Sequence, residues 1–252
     1  MHFPVTIHIA AVNILLHTIT ETFALLIGFR YFIFLHGRQG DTIVHQNRVW
    51  IIIAATLGAF IGSHLLGSFE NLDEFVSSKN MLLYFYSNKT VVGGFLGGLF
   101  CVEFAKKMMN EKQASGDLFV PPILLSLIIG RIGCFSMGIY ENTYGKETLL
   151  PWGINLGDGK GRHPVSIYEI IFLLGLWVSL VSIQKKYILQ QGALFKIFMI
   201  AYLVFRLLLD FIKPHVSVIA SLSIIQLTCV AGLIYYYRYF LHPSKLISNN
   251  IR

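Results

Sequence analysis

Charge is scarce in this 252-residue chain: Asp, Glu, Lys and Arg together make up 13%, against 55% hydrophobic residues and a mean hydropathy of +0.64. So apolar a composition excludes an ordinary soluble domain and makes an integral membrane protein the default. Cysteine is scarce too. Cys101, Cys134 and Cys229 each lie inside an apolar run, with no C-x-x-C pair and no metal-ligand spacing, so they point to neither a disulfide nor a zinc site. No basic stripe with interleaved aromatics is present, and the net charge of +7 therefore marks membrane topology and no nucleic-acid partner. Long internal repeats and low-complexity tracts are missing, so residues 1–252 read as a single domain. The first apolar run has no basic n-region before it and no small-residue cleavage site after it, and is expected to remain as a span.

A hydrocarbon core of about 30 Å needs roughly 20 apolar residues per helix. Seven segments come near that length: about 8–35, 49–69, 90–105, 118–139, 166–183, 192–213 and 217–240. The expected fold class is all-α, a polytopic membrane protein with about seven transmembrane helices. Alternate loops then share a side. One set carries Arg38, Arg48, Lys106, Lys107, Lys112, Lys185, Lys186, Arg238, Lys245 and Arg252; the other carries Lys79, Lys89, Lys146, Lys160, Arg162 and Lys213. The richer set marks the cytoplasmic side. The N-terminus is then outside, the C-terminus cytoplasmic, and the long loop at about 140–165 faces outward. That loop, "ENTYGKETLLPWGINLGDGKGRHP", is the largest polar insertion. Loops above about 12–15 residues are usually functional or disordered, and Trp152 and Tyr144 in it are suited to headgroup depth.

An Arg or Asp near the centre of a membrane helix costs about 2.5–3.5 kcal/mol, so such residues normally face a polar cavity or a partner. His17, Glu21, Arg30, His64, Arg131, Arg206 and Asp210 fall in this class. Arg206 and Asp210 are four apart, on one helix face, and either neutralise each other or serve a ligand. His17 and Glu21 share that spacing and fit a hydrogen-bond knot as well as a substrate site. His64, in "IGSHLLG", reads as a packing histidine, and Arg30 lies near enough to a helix end to snorkel. Arg131 differs, because no acidic residue within a helical turn can pair with it and Gly130 and Gly133 flank it. Its counter-ion must come from elsewhere in the fold or from a ligand. An unpaired guanidinium near the outer leaflet suits a phosphodiester, whose oxygens its planar fork can hold bidentately. The run "VVGGFLGG", Val91 to Gly98, lacks the Lys-Ser/Thr ending of a nucleotide loop and reads as close helix packing.

At "GRIGCF" from Gly130, "PWGI" from Pro151 and "RHPVSIYE" from Arg162, with "GDLF" from Gly116 and "FRLLLDF" from Phe205, the chain resembles the bacterial prolipoprotein diacylglyceryl transferase family. The resemblance runs from about Asn13 to Leu233. It implies an inner-membrane enzyme with an outward-facing active site that moves diacylglyceryl from phosphatidylglycerol to the lipobox cysteine of a prolipoprotein and releases glycerol phosphate. The partners implied are phosphatidylglycerol, the prolipoprotein signal peptide and membrane lipids; no cofactor and no metal are implied. Arg131 matches the signature arginine and Arg206 the C-terminal one, both expected to hold phosphate. His163, Tyr168 and Glu169 match H-P-x-x-x-Y-E, Asp210 stands where the family has glutamate, Gly133 belongs to G-R-x-G, Gly145 matches the glycine closing the signature, and Glu141 its glutamate.

Departures from the pattern fall near the chemistry. Cys134 stands where the family has asparagine, and the stretch from Arg131 to Gly145 is about three residues longer than usual. The histidine normally preceding the paired glycines is replaced by Val92. A thiol-activating base is then sought among His17, Glu21, His64 and His163; histidine's intrinsic pKa, near 6.5, suits the task. Two other readings compete with the usual reaction: a related transferase with a different acceptor, and a non-catalytic lipid-binding membrane protein or small transporter. The lack of an obvious inverted repeat argues against a transporter.

Overall fold

The structure is a computed structural model that describes residues 2–9, 12–214, 216–218 and 221–248. Residues 10–11 of the first expected span, 219–220 of the seventh, and Arg252 of the tail lie outside the described residues. The described residues are mainly helical, with two small antiparallel strand pairs among them. The first pair corrects the start of the first expected span. Thr6–Ile9 (β1) pairs antiparallel with Val12–Leu15 (β2), setting Ile7 opposite Ile14 and His8 opposite Asn13, whose side chains hydrogen-bond. The β-branched residues here favour strands, and an apolar run alone does not distinguish strand from helix. Val5 N donates to the carbonyl of Ser136 (2.9 Å), tying the strand pair to the end of a later helix.

The long helices follow: α1 Leu16–Gln39, α2 His45–Phe69, then two short ones, α3 Leu72–Ser77 and α4 Met81–Ser87, then α5 Val91–Met108, α6 Val120–Met137, α7 Val165–Lys186, α8 Ala193–Leu209, α9 Ile224–Tyr235 and α10 Tyr237–Leu241. Among the described residues four helical stretches are long and apolar enough to cross a membrane: Leu16–Gln39, His45–Phe69, Asp117–Tyr140 and Val165–Lys186. This is an all-α membrane protein. On α1 the buried stripe is Ala24, Gly28, Phe32 and Leu35, while Phe23, Leu25, Leu26 and Phe29 stay exposed. A helix apolar on all faces with so little of it covered suits a lipid surround.

The seventh expected segment is shorter than the hydropathy implies. Its helix begins only at Ile224, because Ser223 accepts from Gln226 N while the Gln226 side chain takes up Ser223 N, a complete capping box. It also breaks at Tyr236. The helices α3 and α4 were not anticipated. Asn71 and Asn80 cap them by accepting from Glu74 N and Leu83 N, and Leu72, Val76, Leu82 and Leu83 lie exposed along this arm.

The core sits between α5, α6, α7, α8 and α9, around Val92, Leu124, Leu173, Phe198, Tyr202, Leu203 and Ile225. Beside it α2 and α5 pack almost backbone to backbone, as the Val91–Gly98 glycines imply: a Cβ built on Gly62 would lie 2.8 Å from Gly97 Cα. Close approach through small residues is the usual way apolar helices associate where lipid offers no hydrophobic drive. Gly97→Val is therefore expected to destabilise the protein by about 1–3 kcal/mol, seen as a lowered thermal midpoint in detergent.

The two sets of connections gather at opposite ends. At one end Arg48 Nη1 donates to the Ser115 carbonyl (3.0 Å), Asn47 to Glu111 (3.0 Å) and Gln190 N to the Leu246 carbonyl (3.0 Å). At the other, Thr90 N donates to the Ser63 carbonyl (3.1 Å) and Lys146 N to that of Ile212 (2.8 Å). The first end is clamped by Asp41, which accepts from Arg48 Nε (2.5 Å) and Nη2 (2.6 Å). Burial pushes the Asp41 carboxyl up, but the Arg48 hydrogen bonds and the Ile43 N–H outweigh it and hold the group below its ordinary value. A carboxylate with a depressed folded pKa stabilises above its unfolded value and loses that contribution as pH falls through the folded value. Thermal midpoints measured across the acid range should fall more steeply for the wild type than for Asp41→Asn.

Candidate active site

Arginine 131 projects from the last two turns of α6, and its counter-ion comes from the next helix. Arg131 Nε lies 2.8 Å from Glu169 Oε2 on α7. Of the two sources expected for its counter-ion, the fold supplies one: the partner is 38 positions away in sequence, beyond any local spacing rule. Glu169 is 1% exposed and also accepts from the Tyr202 hydroxyl of α8 (2.8 Å). Arg206, one turn beyond Tyr202, lies 3.5 Å from Asp210 Oδ1. Asp210 in turn accepts from Ser223 Oγ (2.5 Å). A buried carboxylate needs such partners, since stripping its water costs several kcal/mol.

A second cluster comes from α1. The first turn of α1 places His17 between two carboxylates: Nε2 is 3.5 Å from Glu21 Oε2, and Nδ1 is 3.4 Å from Glu141 Oε2. Glu21 is also paired with Lys89, just before α5. Cys134 joins the two clusters. Its sulfur accepts from Arg131 Nη1 (3.4 Å) and lies 3.8 Å from Glu141 Oε1. All three cysteines are free. His17, Cys134 and Glu141 present ligand atoms within 4.8 Å of one another, a group that could hold a metal ion.

Both clusters line one cavity of about 580 Å³, walled by α1, α2, α5, α6, α7 and α8. His17, Glu21, Lys89, Arg131, Cys134, Glu141, Glu169, Arg206 and Lys213 all face it, among apolar residues such as Leu25, Ala59, Val91, Phe95 and Leu127. Polar groups thus converge in a cleft whose other walls are apolar, the usual form of a ligand site. Arg131, Arg206 and Lys213 face the cavity together with the buried Glu169, and Asp210 pairs with Arg206 behind the lining.

The remaining sequence candidates lie elsewhere. His163, Tyr168, Gly133, Gly145 and Asp210 are outside the cavity lining. His163 Nδ1 lies 3.2 Å from the Tyr168 hydroxyl, which also accepts from Trp152 Nε1 (2.9 Å), so H-P-x-x-x-Y-E anchors the long loop to α7. Gly145 lets that loop cross His163, whose Cβ would lie 2.5 Å from a Cβ added at the glycine. The loop is ordered by its own hairpin, Ile154–Asn155 (β3) with Gly161–Arg162 (β4), and by Arg162, whose hydrogen bond to Asp158 (2.7 Å) holds that carboxyl below the usual range. Gly133 faces α1, where a Cβ would collide with Thr20; Gly130 is the glycine that opens to the cavity.

His64 is a buried packing histidine, its Nδ1 3.1 Å from the carbonyls of Phe85 and Asn88 and its ring stacked on Tyr86. Arg30 is exposed. Val92 is wholly buried in the core, so that position offers the cavity no polar group. Sequence reasoning did not single out Lys89 or Tyr202 and gave Cys134 no role. Tyr202 had a signal, its four-residue spacing from Arg206 on one helix face. Cys134 had one too, its place three residues after Arg131.

Fold and site together define a helical membrane protein with a cavity lined by Arg131 and Arg206 and a His-Cys-Glu cluster beside them. The model of the family described as prolipoprotein diacylglyceryl transferase matches residues 4–241. Among similar proteins, the phosphatidylglycerol-prolipoprotein diacylglyceryl transferase of Nitratidesulfovibrio vulgaris is 32% identical over 191 residues, covering 70% of this chain and 66% of that one. The protein of the same name from Finegoldia magna is 27% identical over 241 residues, 91% of each chain. That from Clostridium tetani is 27% identical over 195 residues, covering 72% of this chain and 76% of its own. This chain belongs to the prolipoprotein diacylglyceryl transferase family.

Proposed function

We propose that this chain transfers the diacylglyceryl group of phosphatidylglycerol to the lipobox cysteine thiol at a prolipoprotein signal peptide, as a seven-span protein of the bacterial plasma membrane. The N-terminus and the cavity face outward, and the C-terminus is cytoplasmic. One observation carries this reading: Arg131 from α6 and Arg206 from α8 face a single cavity between apolar helices, so an anionic headgroup can enter with its acyl chains still in lipid. The relatives' names supply donor and acceptor.

The reaction displaces phosphate from carbon, and the site divides the work. Arg131 and Arg206 hold the phosphate and stabilise the charge that grows on it as the C–O bond breaks. Glu169 keeps Arg131 in position, and Asp210 does the same for Arg206. His17, flanked by Glu21 and Glu141, is the imidazole within reach of the incoming thiol. His163, Tyr168 and Gly145 position the outer loop, and Gly133 sets the distance between α1 and α6.

Labelled phosphatidylglycerol and a lipobox peptide, incubated with purified protein in detergent, should yield a thioether-linked peptide and glycerol phosphate. No thioether product from folded protein sinks this assignment. The replacement of the family's histidine by Val92 favours one second reading, the same donor with another acceptor. Glycerol phosphate released without peptide modification would select it.

A further inference from the structure

We infer that His17, Cys134 and Glu141 bind a thiophilic divalent cation, zinc by the character of the donor set, with its open coordination position facing the cavity where the acceptor thiol arrives. The inference rests on the transferase reading and deepens it, because it names what activates the thiol.

The geometry fits first. Tetrahedral zinc with bonds of about 2.0–2.3 Å sets neighbouring ligand atoms roughly 3.3–3.8 Å apart. Glu141 turns Oε2 to His17 Nδ1 at 3.4 Å and Oε1 to Cys134 Sγ at 3.8 Å, and one ligand atom from each of the three residues lies within 4.8 Å of the other two. Three protein donors with a position left over is the pattern of catalytic zinc; structural zinc takes four.

The hydrogen bonding points the same way. His17 Nδ1 and Glu141 Oε2 are buried atoms that face each other at 3.4 Å without hydrogen-bond geometry. Leaving such groups unsatisfied costs about 1–3 kcal/mol each, and a cation between them satisfies both. On the far side of the ring, His17 Nε2 faces Glu21, itself fixed by Lys89. Metal-bound histidines almost always hand their other N–H to a carboxylate, which sets the tautomer. Here that leaves Nδ1 with its lone pair toward Cys134 and Glu141. Arg131 Nη1 donates to Cys134 Sγ at 3.4 Å and fixes the sulfur beside Glu141.

The chemistry also closes a gap, since Val92 gives the cavity no base. A thiol bound to zinc is deprotonated outright. Its proton passes to water, the sulfur lone pair forms the C–S bond, and the C–O bond to phosphate breaks with its electron pair leaving on glycerol phosphate. The thioether product is a poorer ligand than the thiolate and frees the open position. No oxidant or reductant is needed.

The test uses Co²⁺, whose bond to a thiolate gives a charge-transfer absorption. Full-length protein in detergent, stripped with a chelator, is titrated with Co²⁺ and then with Zn²⁺. The band should saturate near one cobalt per chain and be displaced by zinc. Cys134→Ser should abolish it, while Glu21→Gln, which retains all three donors, should weaken binding about 10–100-fold. Circular dichroism and elution behaviour establish that each variant is folded, and Glu21→Gln keeps the test decisive if Cys134→Ser is not. No band in folded wild type, or a band that survives Cys134→Ser, overturns the inference. The thioether assay, run on the same samples, should lose product on chelation and regain it with Zn²⁺. Equal product in the chelated protein overturns the inference and leaves the transferase reading standing. A cobalt band without thioether product under any metal upholds the cation site and overturns the transferase reading instead.

Discussion

Arg131→Lys is expected to lose about 10²–10³-fold in kcat/KM for thioether formation, the usual effect of removing one donor aimed at developing charge. Charge is conserved in this variant, so a role that needed only a cation would survive it. The guanidinium does more. Nε lies 2.8 Å from Glu169 and Nη1 lies 3.4 Å from Cys134, which leaves the rest of the fork for phosphate. An ammonium is a point donor and cannot face three directions in one plane. Full activity in Arg131→Lys would remove Arg131 from phosphate binding. Arg206→Lys is a weaker test, because Lys213 lines the same end of the cavity and supplies a second cation.

Arg131, Arg206, His17 and Glu21 were legible from sequence for one physical reason: a polar residue in an apolar run is expensive and needs an explanation. All four line the cavity. What each one touches was not legible. Glu169 meets Arg131 across a helix pair, and Glu141 meets His17 across more than a hundred residues, so neither contact leaves a spacing pattern. The same holds for Cys134, by sequence only a departure from the family's asparagine, which the fold places between Arg131 and Glu141. Hydropathy located the helices but misjudged ends decided by hydrogen bonding. The first helix starts late because residues 6–9 pair with 12–15 as antiparallel strands, and the last because Ser223 and Gln226 cap it. Residues 70–89 read as plain loop because two helices of six and seven residues are too short to show a period.

Glu169→Leu should destabilise the protein by about 3–5 kcal/mol, the cost of stranding a buried charge by removing its partner. Glu169 is 1% exposed and serves both Arg131 and Tyr202, so its loss leaves a guanidinium and a hydroxyl without their acceptor. Removing all three polar groups together is a different experiment. A buried ion pair replaced by apolar residues of similar volume is often neutral or stabilising, so Arg131→Met, Glu169→Leu and Tyr202→Phe combined should recover most of the lost thermal midpoint in detergent. That triple variant should remain inactive, because the phosphate has lost its arginine. Recovery of stability without recovery of activity would show that the Arg131–Glu169 pair is kept for chemistry and not for folding. A triple variant no more stable than Glu169→Leu would mean that the α6–α7–α8 contact depends on the pair itself. Arg131 would then be a structural residue first.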